Sequence, residues 1–527
     1  MPSPSSQDFP FTVLVLAPFR GREKEKWKKG PIDVTLETLD KVLSEVRPSF
    51  DLPVSGNIYP PEYLTFEIER RKDFRPDGLL SCNSFLKNIL DAREFVLDAP
   101  AKGLNQKEII ERIRDWPGLP PLELPKSPGN KTSKKADTID DILNMVSIPG
   151  REGGHGGEEK ELVRQMEGLL GGILARTFSH EEFRQLEEVW GGLGFLLSRS
   201  RRVSEPRVSV RLLPVSSEAL EETLDDFILE FAREIPSLIV VDIAFDTSPH
   251  SIELLRRLGE IAEALLVPTI GWISPRFLNI DSWEDLKTLP YLPHYLENAE
   301  FGKWQTLKKG DSGKWLGLTC SRFLDRYPYG PESQKGPVYF EEKAIPWRNP
   351  VWGLATLVLR SQLETGWPAH FGDWQRFHLE DLALRDPGER KQYPTEVAFS
   401  EDRMAQFVKS GIIPLISQQN RDIAFFPDET TIAGTSLAFQ LVVSRIIQFL
   451  ILCKESFDKG LNPSEIQREL RKAIVTFWEK TGHAPPADIH LSVTRPDSEK
   501  PPVVDFALKP SPEILPSGER IELQFYW

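Results

Sequence analysis

The chain has 527 residues, a formal net charge of −14, and 40% hydrophobic, 27% charged and 10% aromatic side chains. That apolar content builds cores and excludes a disordered chain, and a length of this size predicts roughly three domains. The negative field repels phosphate backbones, which argues against a nucleic-acid partner.

Cys82, Cys320 and Cys453 lie far apart, without the close pairs that metal ribbons or redox motifs use, which fits a reducing cytoplasm. The first twenty residues lack a basic start and a small-residue cleavage site, so no secretory signal is expected.

In chain order, residues 11–19 (FTVLVLAPF) read as a central strand ended by Pro18 and Gly21. Helical spacing follows at 33–43, and the alternating 63–70 (YLTFEIER) reads as a half-buried strand. Helices are expected at 85–98 and 106–116, which together make a small α/β unit. The stretch PGLPPLELPKSPGNKTSKKAD, 117–137, has the composition of a linker. The glycines of 150–157 lack a preceding strand and a Lys-Ser/Thr pair, and Glu158 and Glu159 follow them, so the loop reads as a hinge and not a phosphate cradle.

From there helices at 159–174, 181–198, 217–233 and 251–264 alternate with strands at 207–213, 238–245 and 266–273. This is the pattern of parallel strands with crossover helices. The apolar run 437–452 carries Gln440, Arg445 and Gln448 and reads as a buried helix, with no membrane insertion. Residues 463–480 read as an amphipathic helix with a basic outer side, a solvated face or a contact surface. The tail from 487 holds short strand-like runs between prolines and reads as a β-rich arm.

Chemistry is hard to find. None of the eight histidines falls in a two-His metal spacing with a Glu between, and no nucleophile elbow, kinase signature or complete Walker loop is present. The densest polar cluster is His370, Asp373 and His378, and a hydrolase built on it is one alternative, with packing the plainer reading. The adjacent carboxylate pairs 140/141, 187/188, 225/226 and 341/342 do not share a helix face and read as solvated surface. No catalytic, cofactor-binding or metal residues are assigned, and no cofactor is expected.

Two stretches carry a resemblance. Residues 11–102, through FTVLVLAPFRGR, PIDVTLETLDKVLSEVRPSFDLPV, LTFEIERRKDFRPDGL and LKNILDARE, resemble the small subunit of the type VI secretion contractile sheath. From 138 onward, FRQLEEVWGGLGFLLSRS, VRLLPVSSEALEETLDDF, PRFLNIDSWEDLKTL, KWLGLTCSRFLDRYPYGP and NPVWGLATLVL resemble the large subunit in the same order. The motif RFLDRYPYG, with Arg322, Phe323, Pro328, Tyr329 and Gly330, is its most specific element. The resemblance implies a multi-domain α/β sheath protomer: a small α/β domain at 1–116, a linker at 117–137, and a larger α/β domain at 138–527 with a β-rich C-terminal arm.

The same resemblance implies a structural protein and not an enzyme, one that forms a helical homopolymer in the bacterial cytoplasm. Its implied partners are an inner tube ring protein, baseplate proteins that attach it to the cell envelope, and an AAA+ unfoldase. It further implies strands donated between protomers, here Ile521, Leu523 and Phe525. The unfoldase would read an amphipathic segment, here Ile139, Ile142 and Leu143, for which an ordinary docking helix is the alternative. Two departures stand out: only ten residues precede Phe11, where the small subunit has an arm strand, and 228–241 is short against the large subunit. A static sheath-like tube or baseplate component is the other structural alternative.

Overall fold

The computed structural model describes residues 9–55, 62–122, 158–199, 208–231, 234–330, 338–385, 391–458, 460–495 and 500–527. Most of the expected linker, and Ile139, Ile142 and Leu143, lie outside the described residues.

The centre is a seven-stranded sheet of order β11-β8-β7-β6-β1-β5-β2. Its strands are β1 (Phe11–Ala17), β2 (Ile32–Asp33), β5 (Val208–Pro214), β6 (Leu238–Phe245), β7 (Thr269–Ile273), β8 (Leu316–Cys320) and β11 (Ile412–Pro414). All neighbours run parallel except β2, which is antiparallel to β5. Continuous apolar runs such as FTVLVLA and LIVVDIAF have no polar side to turn to water, so both faces of the sheet must be covered. Side chains alternate accordingly: Val13, Val15 and Ala17 enter one apolar cluster, and Leu14 and Leu16 enter a second one across the sheet.

A separate small domain at 1–116 is not what the topology gives. Strand β1 lies between β5 and β6, with Phe11 opposite Val208 and Ala17 opposite Pro214 on one side, and Val13 opposite Leu238 on the other. The rest of the first segment comprises the hairpin β3 (Ser49–Pro53) and β4 (Tyr63–Glu67) and the helices α1 (Leu39–Val46), α2 (Ser84–Asp98) and α3 (Gln106–Arg114). It packs into the same cluster as α4 (Glu158–Ser179) and α5 (Glu181–Arg199). A strand apolar on both faces needs neighbours at both edges and helices above and below, and the other strands of the first segment, two-residue β2 and one separate hairpin, do not pair with β1.

On the Leu14 side lie the crossover helices α6 (Leu220–Phe231), after β5, and α7 (Pro249–Leu265), after β6. On the Val13 side lie α5, α8 (Pro350–Thr365), α9 (Leu437–Ser456) and α10 (Pro463–Lys480). Short strands β9 (Phe323–Leu324) and β10 (Trp347–Arg348) pair antiparallel, as do β12 (Ile416–Ser417) and β13 (Ala424–Phe425).

Helix α9 is long and apolar enough to cross a membrane by composition, yet 72% of its most apolar stretch is buried. Two of its polar residues find partners inside: Arg445 donates to the carbonyls of Phe9 and Pro10, and Gln448 to that of Pro236, while Arg445 Nε is buried without a partner among the described residues. Helix α10 starts at Asn462, whose side chain accepts from Glu465 N–H at 3.0 Å while Glu465 accepts from Asn462 N–H at 2.9 Å, with Pro463 at the first position.

The tail is a packed sheet and not an arm. Strands β14 (His490–Thr494), β15 (Val503–Leu508) and β16 (Ile521–Tyr526) form an antiparallel sheet. Leu491, Val493, Val504, Phe506, Leu508 and Ile521 are buried against the body. The alternating apolar positions of HLSVT and VVDFAL supply a whole face, and burying it is worth more than leaving it in water.

Candidate functional site: a buried charge node and an open sheet edge

The turn after β8 carries the motif. Ser321, fully buried at φ 70°, takes the left-handed conformation that redirects the chain out of the sheet. Arg322 then makes two bonds to Glu396, at 2.9 and 2.6 Å. Phe323 enters β9 opposite Arg348, its ring 5.5 Å from that of Phe195. Arg326 forks between Glu187 at 2.8 Å and Glu342 at 2.6 Å and lies 4.3 Å above the ring of Tyr329. Tyr329 donates its N–H to Glu342 at 2.9 Å and sits edge-on to Phe178. Pro328 and Gly330 are half-buried at the outer end of the loop.

Behind the motif is a second layer of charge. Arg348 is buried and donates to Asp325 and to the carbonyl of Gly191 in α5. Asp242, in an irregular stretch of β6, accepts from Asn349 at 2.8 Å and from Trp352 at 2.7 Å. Burial pushes the Asp242 carboxyl up to about 6. Glu188 is half-buried as a residue, but its Oε1 is shut off from solvent and has no partner among the described residues. Desolvation, with the nearby Asp242 adding to it, pushes the Glu188 carboxyl up to about 8.

The node welds four elements: α5, β6, the motif turn and the start of α8. Glycine makes the weld possible. A Cβ on Gly192 would meet the Trp352 ring at 2.4 Å, and one on Gly191 would meet the Arg348 guanidinium at 3.1 Å. Sequence reasoning placed the pairs 187/188 and 341/342 on the surface; the structure places Glu187, Glu188 and Glu342 in the node. The available signal was Glu-Glu-Val-Trp-Gly-Gly, where carboxylates precede a buried Trp and a close-approach glycine pair.

Strand β16 is paired inside its own chain, with Ile521 opposite Leu508, Leu523 opposite Phe506 and Phe525 opposite Val504. Ile521 is buried, and Leu523 and Phe525 are half-buried. Its other edge has no strand among the described residues, as the order β14-β15-β16 requires. Such an edge can take a further strand by main-chain hydrogen bonding.

The structure does not assemble His370, Asp373 and His378 into one constellation. The His370 imidazole is held by the carbonyl of Glu513 at 2.7 Å, and that of His378 by the carbonyl of Trp374 at 3.1 Å. An open cavity of about 440 Å³ beside them is lined by Gly372, Asp373, Asp428, Glu429, Thr435 and Ser436, with neither histidine in its wall.

Residues 230–433, from the end of α6 through the motif to the segment before α9, match the family model described as EvpB/VC_A0108, tail sheath N-terminal domain. The type VI secretion system sheath protein TssC1 of Pseudomonas aeruginosa is 26% identical, covering 60% of this chain and 74% of that protein. The contracted helical sheath of the anti-feeding prophage superposes with a TM-score of 0.34 at 10% identity, over 63% of this chain and 77% of that one. That agreement is too loose to equate the folds.

Proposed function

We propose that this chain is a structural protomer of a contractile type VI secretion sheath, which polymerises around an inner tube and contracts to propel it. The observation that carries the reading is the match of residues 230–433 to a tail sheath domain. The matched segment holds the motif residues Arg322–Gly330 and much of the charge node. The TssC1 relative supports the same reading over most of its own length.

In this account the first segment plays the part of the small sheath subunit and the remainder that of the large one, fused in one chain. Fusion fixes their ratio at one to one and raises the effective concentration of their mutual interface. The interleaving of β1 between β5 and β6 supports this, because a shared sheet requires both parts in every protomer. The node makes the protomer a rigid body, and contraction is a change in how rigid bodies pack. Residues Ile521, Leu523 and Phe525 tether neighbours through the open edge of β16. The inner tube ring protein and baseplate proteins are its partners, and the sheath lies in the cytoplasm, attached to the envelope through the baseplate. Residues Ile139, Ile142 and Leu143 present the contracted sheath to an AAA+ unfoldase.

Sedimentation velocity across a concentration series, with and without the inner tube ring protein, tests the reading. An open head-to-tail contact gives species that keep growing with concentration. A single sharp species of fixed size under all conditions refutes it.

A further inference from the structure

Two helices present outward stripes that match each other in spacing and oppose each other in charge. Helix α6 turns Leu220, Leu224, Phe227 and Phe231 into the cluster on the Leu14 side of the sheet. Its outward stripe is Glu222, Asp225, Asp226 and Leu229, all exposed. Leu229 is 82% exposed, the most open large apolar side chain among the described residues. Helix α10 turns Ile466, Leu470, Ile474 and Phe477 into the cluster on the Val13 side. Its outward stripe is Arg468, Arg471 and Lys472, exposed, followed by the half-buried Val475.

The spacing is the same in both: 222, 225/226, 229 and 468, 471/472, 475, one helix face over two turns. Laid parallel, Glu222 faces Arg468, Asp225 and Asp226 face Arg471 and Lys472, and Leu229 covers Val475. Some of these charges have company already. Asp226 pairs with Lys26 at 2.7 Å, Asp225 with Arg257, and Arg468 with Glu469 at 3.3 Å. Glu222 and Lys472 have no ion pair among the described residues, and they are the charges with most to gain.

One copy cannot satisfy its own stripes, because they sit on opposite faces of the central sheet. A contact between two different surfaces is heterologous, so it adds copies in one direction instead of closing a two-fold dimer. We propose that the acidic stripe of α6 on one copy docks in parallel on the basic stripe of α10 on the next. The inference rests on the sheath reading and names the surface by which copies add. Mixed charge around one apolar contact sets register and partner choice more than raw affinity.

The test is the polymerisation threshold of the full chain, measured by pelleting, for Glu222→Lys, for Arg468→Glu at the position it faces, and for the two combined. Each single reversal is expected to raise the threshold about tenfold, since one favourable exposed pair becomes a repulsion. The combination is expected to return to within about threefold of the parent chain. Leu229→Asp, at a side chain already in water, gives a second route and should raise the threshold without lowering the melting temperature. Single reversals that polymerise like the parent, or a combination that fails to recover, overturn the contact and leave the sheath reading standing. Loss with Arg468→Glu but not with Glu222→Lys also overturns it, because the basic stripe then meets a different protein. A parent chain that never polymerises, with or without the tube protein, removes the sheath reading and this contact together.

Discussion

Glu188→Gln should make the protein more stable at neutral pH and nearly unchanged in mild acid. Folding lifts the Glu188 carboxyl from 4.5 to about 8, so the folded state holds a proton that the unfolded chain gives up. Stability contributed by this group is therefore complete below pH 4.5 and is lost as the pH climbs through 8, at about 1.4 kcal/mol per unit. At pH 7 the loss amounts to about 2–3 kcal/mol, taken below the full product because the residue keeps some contact with water. A neutral amide of the same shape does not titrate, so Glu188→Gln removes the slope. Melting curves at pH 5, 6, 7 and 8 read this directly. The parent melting temperature should fall across the series more steeply than that of the variant, with the two converging near pH 5. Parallel curves, or a variant that is less stable throughout, would refute the account of Glu188 as a carboxyl kept protonated by its surroundings.

Other expectations follow from the same geometry. Gly192→Ala drives a methyl into the Trp352 ring and should cost about 1–3 kcal/mol, whereas Gly194→Ala, two residues on with only Leu39 at 3.8 Å, should gain up to about 1 kcal/mol; melting temperatures moving in opposite directions check the pair. Arg326→Met leaves Glu187 and Glu342 without their shared cation and should destabilise by about 3–5 kcal/mol, seen as a large drop in the denaturant midpoint. Gln524→Pro removes a main-chain donor that faces the open edge of β16, away from β15, and should block polymer growth at concentrations where the parent grows, with far-UV circular dichroism unchanged.

What the sequence discloses here is mostly which side chains hide. FTVLVLA and LIVVDIAF, with no polar face, announce strands buried on both sides, and the apolar run in α9 announces a buried helix; all three are so. Periodicity tells a strand its faces but not its neighbours. Strand β1 pairs with β5 across some two hundred residues, and no local pattern encodes that choice. The tail shows the same limit: prolines between short strands look like an extended arm, while the matching apolar faces of β14 and β15 become visible only when paired. The motif at Arg322–Gly330 was legible as a pattern, but its partners Glu187, Glu342 and Glu396 come from three other places in the chain, and adjacent glutamates read alone look like surface.

The most direct test of the central claim is electron microscopy of the purified full chain over a concentration series, alone and with the inner tube ring protein. The account predicts hollow helical tubes, in two diameters if both lattices are captured. Dispersed particles of single-protomer size under every condition, tube protein included, would contradict it.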